Sequence, residues 1–240
     1  MLINIKYLIL LQIRFITMKH ITNMKFLIYI LFLLSIPFNA QAFNENCINS
    51  KKFPFCLYKE SKIDFIIVRD GKEVGWHKVV FEKTNNGFNV YNTAYIKARY
   101  LLLLDYIFEY SSTSKWINNQ LNSQVVKIDD DGNKYNIYIN KISKDLLEIT
   151  DEDNNKSSVP NNNIIPSDHW HPYEVKYSNI INTLNGEVFK TIVTKVDKNT
   201  WFIDGKVKYY INYDDNGKWI GLKFNPDEDT LVEYICTNCN

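Results

Sequence analysis

The densest group of reactive side chains is Asp168-His169-Trp170-His171. On a strand, a His-x-His pair presents both imidazoles on one face, because successive side chains alternate. Two such nitrogens can share one metal or one substrate proton. Asp168 can add an oxygen or orient a ring. A third strong ligand is not evident, since the one other histidine beyond residue 42 is His77, far away along the chain, and Pro172 restricts the backbone beside His171. The simpler reading makes Trp170 a core plug with the histidines hydrogen-bonded at its rim. His77, Asp168, His169 and His171 are thus the candidate polar site. No catalytic residue and no metal is assigned to it, and no cofactor fingerprint occurs in the sequence.

Other chemistries find less support. There is no Gly-x-Ser-x-Gly, and Ser157, Ser158 and Ser167 lack the flanking glycines of a nucleophile elbow. Cys236-Thr237-Asn238-Cys239 has redox spacing, yet only Asn240 follows. The helix whose N-terminus would lower a thiol pKa therefore has no room to form. Asp129-Asp130-Asp131, Asp214-Asp215 and Asp227-Glu228-Asp229 fall where turns are expected and read as solvated hairpin tips.

The elements that must position these residues are strands. Six of the eight glycines follow Asp or Asn: Asp70-Gly71, Asn86-Gly87, Asp131-Gly132, Asn185-Gly186, Asp204-Gly205 and Asn216-Gly217. Such dipeptides suit tight hairpin turns, which join antiparallel neighbours. Between them lie runs rich in Val, Ile, Tyr and Trp: 63–68, 74–81, 88–96, 106–116, 121–128, 135–142, 146–150, 201–203, 207–213, 219–224 and 231–235. This predicts an all-β, mainly antiparallel fold, a strongly curved sheet or open barrel of about nine to eleven strands. Residues 151–163 are polar and read as a long surface loop. Pro172, then Tyr173 to Leu184, closed by Asn185-Gly186, predicts one short helix.

Aromatic residues make up 15% of the chain. Tyr106, Phe108, Tyr110 and Trp116 recur at period two, and Tyr100 to Leu104 is an apolar run without alternation. Such stripes usually only pack. A curved sheet that carries them can also enclose an apolar molecule, and Leu102, Leu104, Tyr106, Phe108, Tyr110 and Trp170 are its candidate lining.

Compartment follows from the N-terminus. Met24-Lys25, the apolar run Phe26 to Leu34 and Ala40-Gln41-Ala42 follow the order of a secretory signal, and the run is about half the ~20 residues of a spanning helix. Residues 1–42 are thus expected to be an N-terminal extension and a cleavable signal peptide, with translation starting at Met24 or Met18 or with a long n-region removed along with the signal. Residues 43–61 form a Cys-containing arm, and 62–240 a single antiparallel β domain. No stable membrane anchor is left after cleavage. Four of the 28 Lys+Arg and none of the 27 Asp+Glu precede Phe43, so the remainder carries a net charge of −3 and has no general attraction to nucleic acid. Cys47, Cys56, Cys236 and Cys239 all follow the signal, as disulfides in an oxidising compartment would. Two local loops or cross-pairings of arm with tail are open; a staple of arm to tail is preferred, because a Cys-x-x-Cys loop gains little from closing on itself.

Several short motifs are similar to those of an uncharacterised family of exported bacterial proteins, a domain of unknown function. Asp70-Gly71-Lys72-Glu73-Val74-Gly75-Trp76-His77 resembles its first hairpin. His169-Trp170-His171-Pro172 and Asn182-Thr183-Leu184-Asn185-Gly186 resemble two later segments. Tyr213 to Gly217 and Val232-Glu233-Tyr234 resemble its closing hairpin. The resemblance spans most of Ile63 to Tyr234. It implies an open, incomplete β-barrel similar to periplasmic lipoprotein carriers, and hence binding of a lipid or other apolar ligand. His171 departs from the family pattern, where an amide is commoner. Together these readings give an exported periplasmic, secreted or envelope-associated binding protein without catalysis. The alternative is a metal-dependent or acid/base hydrolase centred on Asp168-His169-Trp170-His171.

Overall fold

The computed structural model describes residue 43 and residues 45–100 and 104–239; the signal segment expected over 1–42 and Leu102 lie outside the described residues. The first long strands follow directly from alternation and turn chemistry: β1 (Lys62–Arg69), β2 (Lys72–Thr84), β3 (Gly87–Tyr100), β4 (Leu104–Ile117), β5 (Gln120–Asp130), β6 (Asn133–Lys141) and β7 (Leu146–Thr150). Each pairs antiparallel with the next. Asp70 and Gly71 have φ of 50° and 77°, and Asp131 and Gly132 have 52° and 92°, the left-handed pairs that two-residue hairpins require. Asn118-Asn119 does the same job between β4 and β5, at 52° and 59°, without a glycine.

The main sheet continues through β8 (Lys156–Pro160) at one edge. At the other edge stand β12 (Ile192–Lys195), β13 (Thr200–Asp204), β14 (Tyr209–Tyr213), β15 (Trp219–Phe224) and β16 (Val232–Cys236). Its order is β12-β13-β14-β15-β16-β1-β2-β3-β4-β5-β6-β7-β8, thirteen strands rather than the nine to eleven expected. The two missed strands are its edges. Lys156, Ser157 and Ser158 in β8 are exposed, and β12 is exposed or half-buried throughout. A strand with one neighbour and little burial carries no core pattern for a sequence reading to find. The expected loop over 151–163 is thus interrupted by β8.

Residues 164–190 hold a second, three-stranded sheet. It comprises β9 (Ile164–Pro166), β10 (Asn179–Ile181) and β11 (Val188–Lys190), with β9 parallel and β11 antiparallel to β10. The helix expected over 173–184 is absent. In its place Pro172–Val175 forms one 3-10 turn, β10 follows, and Gly186 at φ 80° ends a turn whose amide donates to the Asn182 carbonyl. The apolar residues Ile180 and Ile181 fit a strand buried by its neighbours as well as they fit a loose helical stripe.

The sheet stays open, because β12 and β8 do not pair, but it curls. β5 and β14 are seven strand intervals apart, about 34 Å if the sheet were flat. Even so, Gln124 of β5 donates to Asp168, and Tyr213 of β14 donates to the carbonyls of His169 and His171. Both strands reach one four-residue segment, so the sheet wraps around it. Trp170 fills the centre, fully buried, with ring centroids 5.1 Å from Trp116, 5.3 Å from Phe81, 5.9 Å from Phe53 and 6.0 Å from Phe88. The expectation of a tryptophan plug holds.

The N-terminal arm packs into the same core. It contains one helical turn, α1 (Glu45–Ile48), and buries Phe43, Ile48, Phe53, Leu57 and Tyr58. Tyr58 donates to the Trp170 carbonyl and accepts from the Trp219 amide. The staple of arm to tail is not formed. Cys47 bonds to Cys56, and Cys236 to Cys239, at Cα separations of 5.9 and 5.7 Å. Backbone turns within the arm (Asn49 to Glu45, Ser50 to Cys47, Cys56 to Lys52) bring its two cysteines together before any long-range pairing is needed. The tail disulfide closes a short loop in which Asn238 accepts from the Asp64 amide.

Candidate functional site

One register row of the sheet shows how the site arises. Phe65, His77, Ala94, Tyr110 and Ile128 stand side by side on β1 to β5, all facing the concave side. Ala94 is small, and its place between His77 and Tyr110 leaves room. A cavity of about 330 Å³ opens there. Ile96, Tyr106 and Phe108 extend one wall, Tyr209, Leu222, Phe224 and Tyr234 form the other, and Ser167 to His169 with Asn182 to Leu184 close it from the plug side.

Three of the four polar residues singled out from sequence meet at this cavity: His77, Asp168 and His169. The fourth, His171, does not. The local backbone explains the split. His169 has a left-handed φ of 66°, so residues 169 and 171 do not share a face as they would on a strand. The His169 ring lies 5.5 Å from both Tyr209 and Trp219. The His171 ring lies against Phe53 and Trp116 at 4.9 and 5.4 Å, and its Nδ1 accepts from the Tyr173 amide as the cap of the 3-10 turn. Burial pushes its pKa down to about 3. The strand-like ligand pair expected from His-x-His is therefore not formed, and among the described residues no three His, Cys, Asp or Glu side chains are grouped to hold a metal ion.

Asp168 is buried, 5% exposed, and held by three hydrogen bonds: Gln124 Nε2 donates at 2.9 and 3.2 Å, and the Tyr110 hydroxyl at 3.2 Å. Burial raises its pKa to about 6; the bonds from Tyr110 and Gln124 and the nearby His169 oppose the rise without cancelling it. His77, 6% exposed, has no hydrogen-bond partner among the described residues at either ring nitrogen. It sits among Trp219, Tyr234 and Phe65, with centroids 5.4, 5.7 and 6.2 Å away. Burial first, and His169 second, push its pKa down to about 3, while Asn92 acts weakly the other way without closing a hydrogen bond. His77 is therefore a neutral imidazole at any ordinary pH.

Glu174 and Tyr209 are functional candidates that the sequence reading missed. Glu174 is 1% exposed and pairs with His169 Nδ1 at 2.9 Å, and the Tyr209 hydroxyl donates to the same carboxylate oxygen. Such a pairing fixes the imidazole in place. It resembles the orienting half of an acid/base pair, but among the described residues no hydroxyl or thiol bonds to the other nitrogen of His169. Glu174 lies five residues from His169 inside what read as a helix, and only the 3-10 turn brings it back. The acidic clusters behave as expected for tips: Asp129, Asp214 and Asp227 accept from turn amides two to four residues on.

Residues 65–237 match the family described as "Domain of unknown function (DUF6134)". The chain belongs to this family. The match covers nearly the same span as the motifs noted from sequence, and it contains every cavity residue named above. No curated protein and no solved structure matches the chain.

Of the lining expected from sequence, Tyr106, Phe108 and Tyr110 do face the family domain's cavity. Trp170 lies beneath it in the core, and Leu104 begins β4 just beyond the undescribed 101–103. Among the described residues no helix is long and apolar enough to cross a membrane.

Proposed function

We propose that this domain is an exported, non-catalytic binding protein of the periplasm or envelope, whose cavity takes a small apolar molecule such as a short lipid-like compound. The observation that carries the reading is the cavity itself. Its walls are aromatic and aliphatic, and its few polar groups converge at one end, the usual make-up of a small-molecule site. A volume of about 330 Å³ suits a compact ligand rather than a whole phospholipid. Export is supported by the n-region, apolar run and Ala40-Gln41-Ala42 of the sequence, and by two disulfides in a chain with no free cysteine among the described residues. Of the hydrolase alternative, Asp168 and His169 reach the cavity and Glu174 orients His169, but among the described residues no nucleophile is bonded to that histidine.

The test is binding of N-phenyl-1-naphthylamine, an apolar fluorophore, with native mass spectrometry of protein purified from the periplasm. The fluorophore is expected to brighten on wild type. It should lose at least about tenfold in affinity for Ala94→Leu, which fills the space between His77 and Tyr110. Equal binding by both proteins would place the probe elsewhere and sink the reading. Retention of residues 1–42 on exported protein, seen as intact mass, would refute the cleavable signal.

A further inference from the structure

We propose that the cavity takes an alkyl compound with a quaternary ammonium head, the head lying among Tyr110, Tyr209 and Tyr234 at the end where Asp168 stands. This inference rests on the reading of the cavity as a small-molecule site and adds the charge and chemical class of the molecule.

Three strands bring aromatic rings to that end. Tyr110 of β4 donates to Asp168, the Tyr209 ring of β14 lies 5.5 Å from the His169 ring, and the Tyr234 ring of β16 lies 5.7 Å from that of His77. All three tyrosines line the cavity, as do Asp168 and His169. Burial pushes the three hydroxyl pKa values up, so these are neutral phenols. An aromatic face is the negative part of its ring's quadrupole, and it attracts a cation most strongly where water is excluded.

Charge points the same way. Among the described residues no Lys or Arg lines the cavity. The ionisable groups at this end, beside the tyrosines, are His77, Asp168, His169 and, behind His169, Glu174. With both carboxyl groups ionised the end is anionic in either state of His169. His77 adds neither charge nor hydrogen bond, because it is neutral and both of its ring nitrogens are closed to water. A buried carboxylate without a cation beside it is costly, and a cationic ligand relieves that cost.

Hydrogen bonding decides which cation fits. The Asp168 oxygens already accept three bonds from Gln124 and Tyr110. Glu174 Oε1 is taken by His169 and Tyr209, and its Oε2 is closed to water. A primary ammonium would leave water for a site with few free acceptors for its three N–H groups. A quaternary head has no N–H to satisfy, and its methyl groups pack on the rings. A carboxylate or phosphate head would face Asp168 with no cation beside it. The apolar walls (Ile96, Phe108, Leu222 and Phe224) then take the alkyl chain.

Displacement of N-phenyl-1-naphthylamine by hexyltrimethylammonium, hexylammonium, hexan-1-ol and hexanoate tests this at about pH 7.5, where the ions are fully charged. Asp168, with its pKa of about 6, is ionised there as well. Hexyltrimethylammonium should compete at concentrations at least about tenfold lower than hexylammonium or hexan-1-ol, and on the order of 100-fold lower than hexanoate. Its selectivity over hexan-1-ol should fall by about three- to tenfold in Asp168→Asn, which removes the charge at constant shape, and in Tyr234→Leu, which removes a ring. Urea midpoints show which variants fold, and Asp168→Asn carries the test alone if Tyr234→Leu does not. The proposal is overturned if any of the other three compounds competes as well as hexyltrimethylammonium, or if a folded variant keeps the full selectivity, while the fluorophore still binds. If neither the fluorophore nor, by native mass spectrometry, any of the four compounds binds, the cavity reading fails and the quaternary-ammonium proposal fails with it.

Discussion

His77 supplies a stability prediction whose size follows from its surroundings. In the unfolded chain its pKa is the ordinary 6.5, and in the fold it is pushed down to about 3. The unfolded state therefore binds a proton between those values and the native state does not, so stability falls as pH falls. The stability associated with the neutral ring is complete above about pH 6.5 and declines towards pH 3. Moving from about pH 7.5 to pH 4.5 therefore costs roughly 2–3 kcal/mol at this residue. His77→Phe keeps the ring contacts with Phe65, Trp219 and Tyr234 and removes the titration. Asp168, His169, His171 and the surface groups remain in both proteins and cancel in the comparison. Urea unfolding at closely spaced pH values gives both curves. At about pH 7.5 the variant should match or exceed wild type, because two unpartnered nitrogens are gone. By about pH 4.5 its advantage should have grown by about 2–3 kcal/mol, with unchanged m values. Parallel curves would refute the claim that this imidazole stays neutral in the core.

Asp168 behaves in the opposite sense. Its raised pKa of about 6 means that the native state holds a proton which the unfolded state releases, so its ionisation costs stability as pH rises from about 3.8 to 6. Asp168→Asn should therefore be neutral or stabilising at about pH 7.5, and Gln124, whose Oε1 is unpartnered, can turn to accept from the new amide. Gln124→Leu strips the carboxylate of two bonds and should cost about 1–3 kcal/mol at that pH, measured by urea midpoint. Replacing Cys47 and Cys56 by Ser, or reducing the pair, should cost about 2–3 kcal/mol from the entropy of a loop of that length. The shorter Cys236–Cys239 loop should cost less, and thermal unfolding of the two double variants gives the order.

The antiparallel meander was legible because its cause is local. Alternating side chains in β1 to β7 and left-handed Asp-Gly pairs at 70–71 and 131–132 determine pairing with the next strand, whatever the rest of the chain does. Edges were not legible, since β8 and β12 bury little and leave no pattern in their residues. The Cys47–Cys56 and Cys236–Cys239 pairs stay open in the sequence, where a staple of arm to tail is preferred, because four cysteines allow three pairings and only the folded turns choose among them. The segment over 173–184 was ambiguous for a related reason: a short apolar run fits helix or strand, and its packing beside Ile165 made it strand.

The same division holds at the candidate site. Sequence alone picked out His77, Asp168, His169 and His171 as reactive and Tyr106, Phe108 and Tyr110 as lining, because residue type and period two are properties of the chain itself. Which of them meet was decided by the tertiary structure. Curling of the sheet carried β5 and β14 to one segment, the left-handed backbone at His169 turned His171 away, and the 3-10 turn delivered Glu174 to His169. Those contacts join residues up to dozens of positions apart through the shape of the core. No local pattern encodes that shape, so the residues could be named from the sequence while their meeting could not.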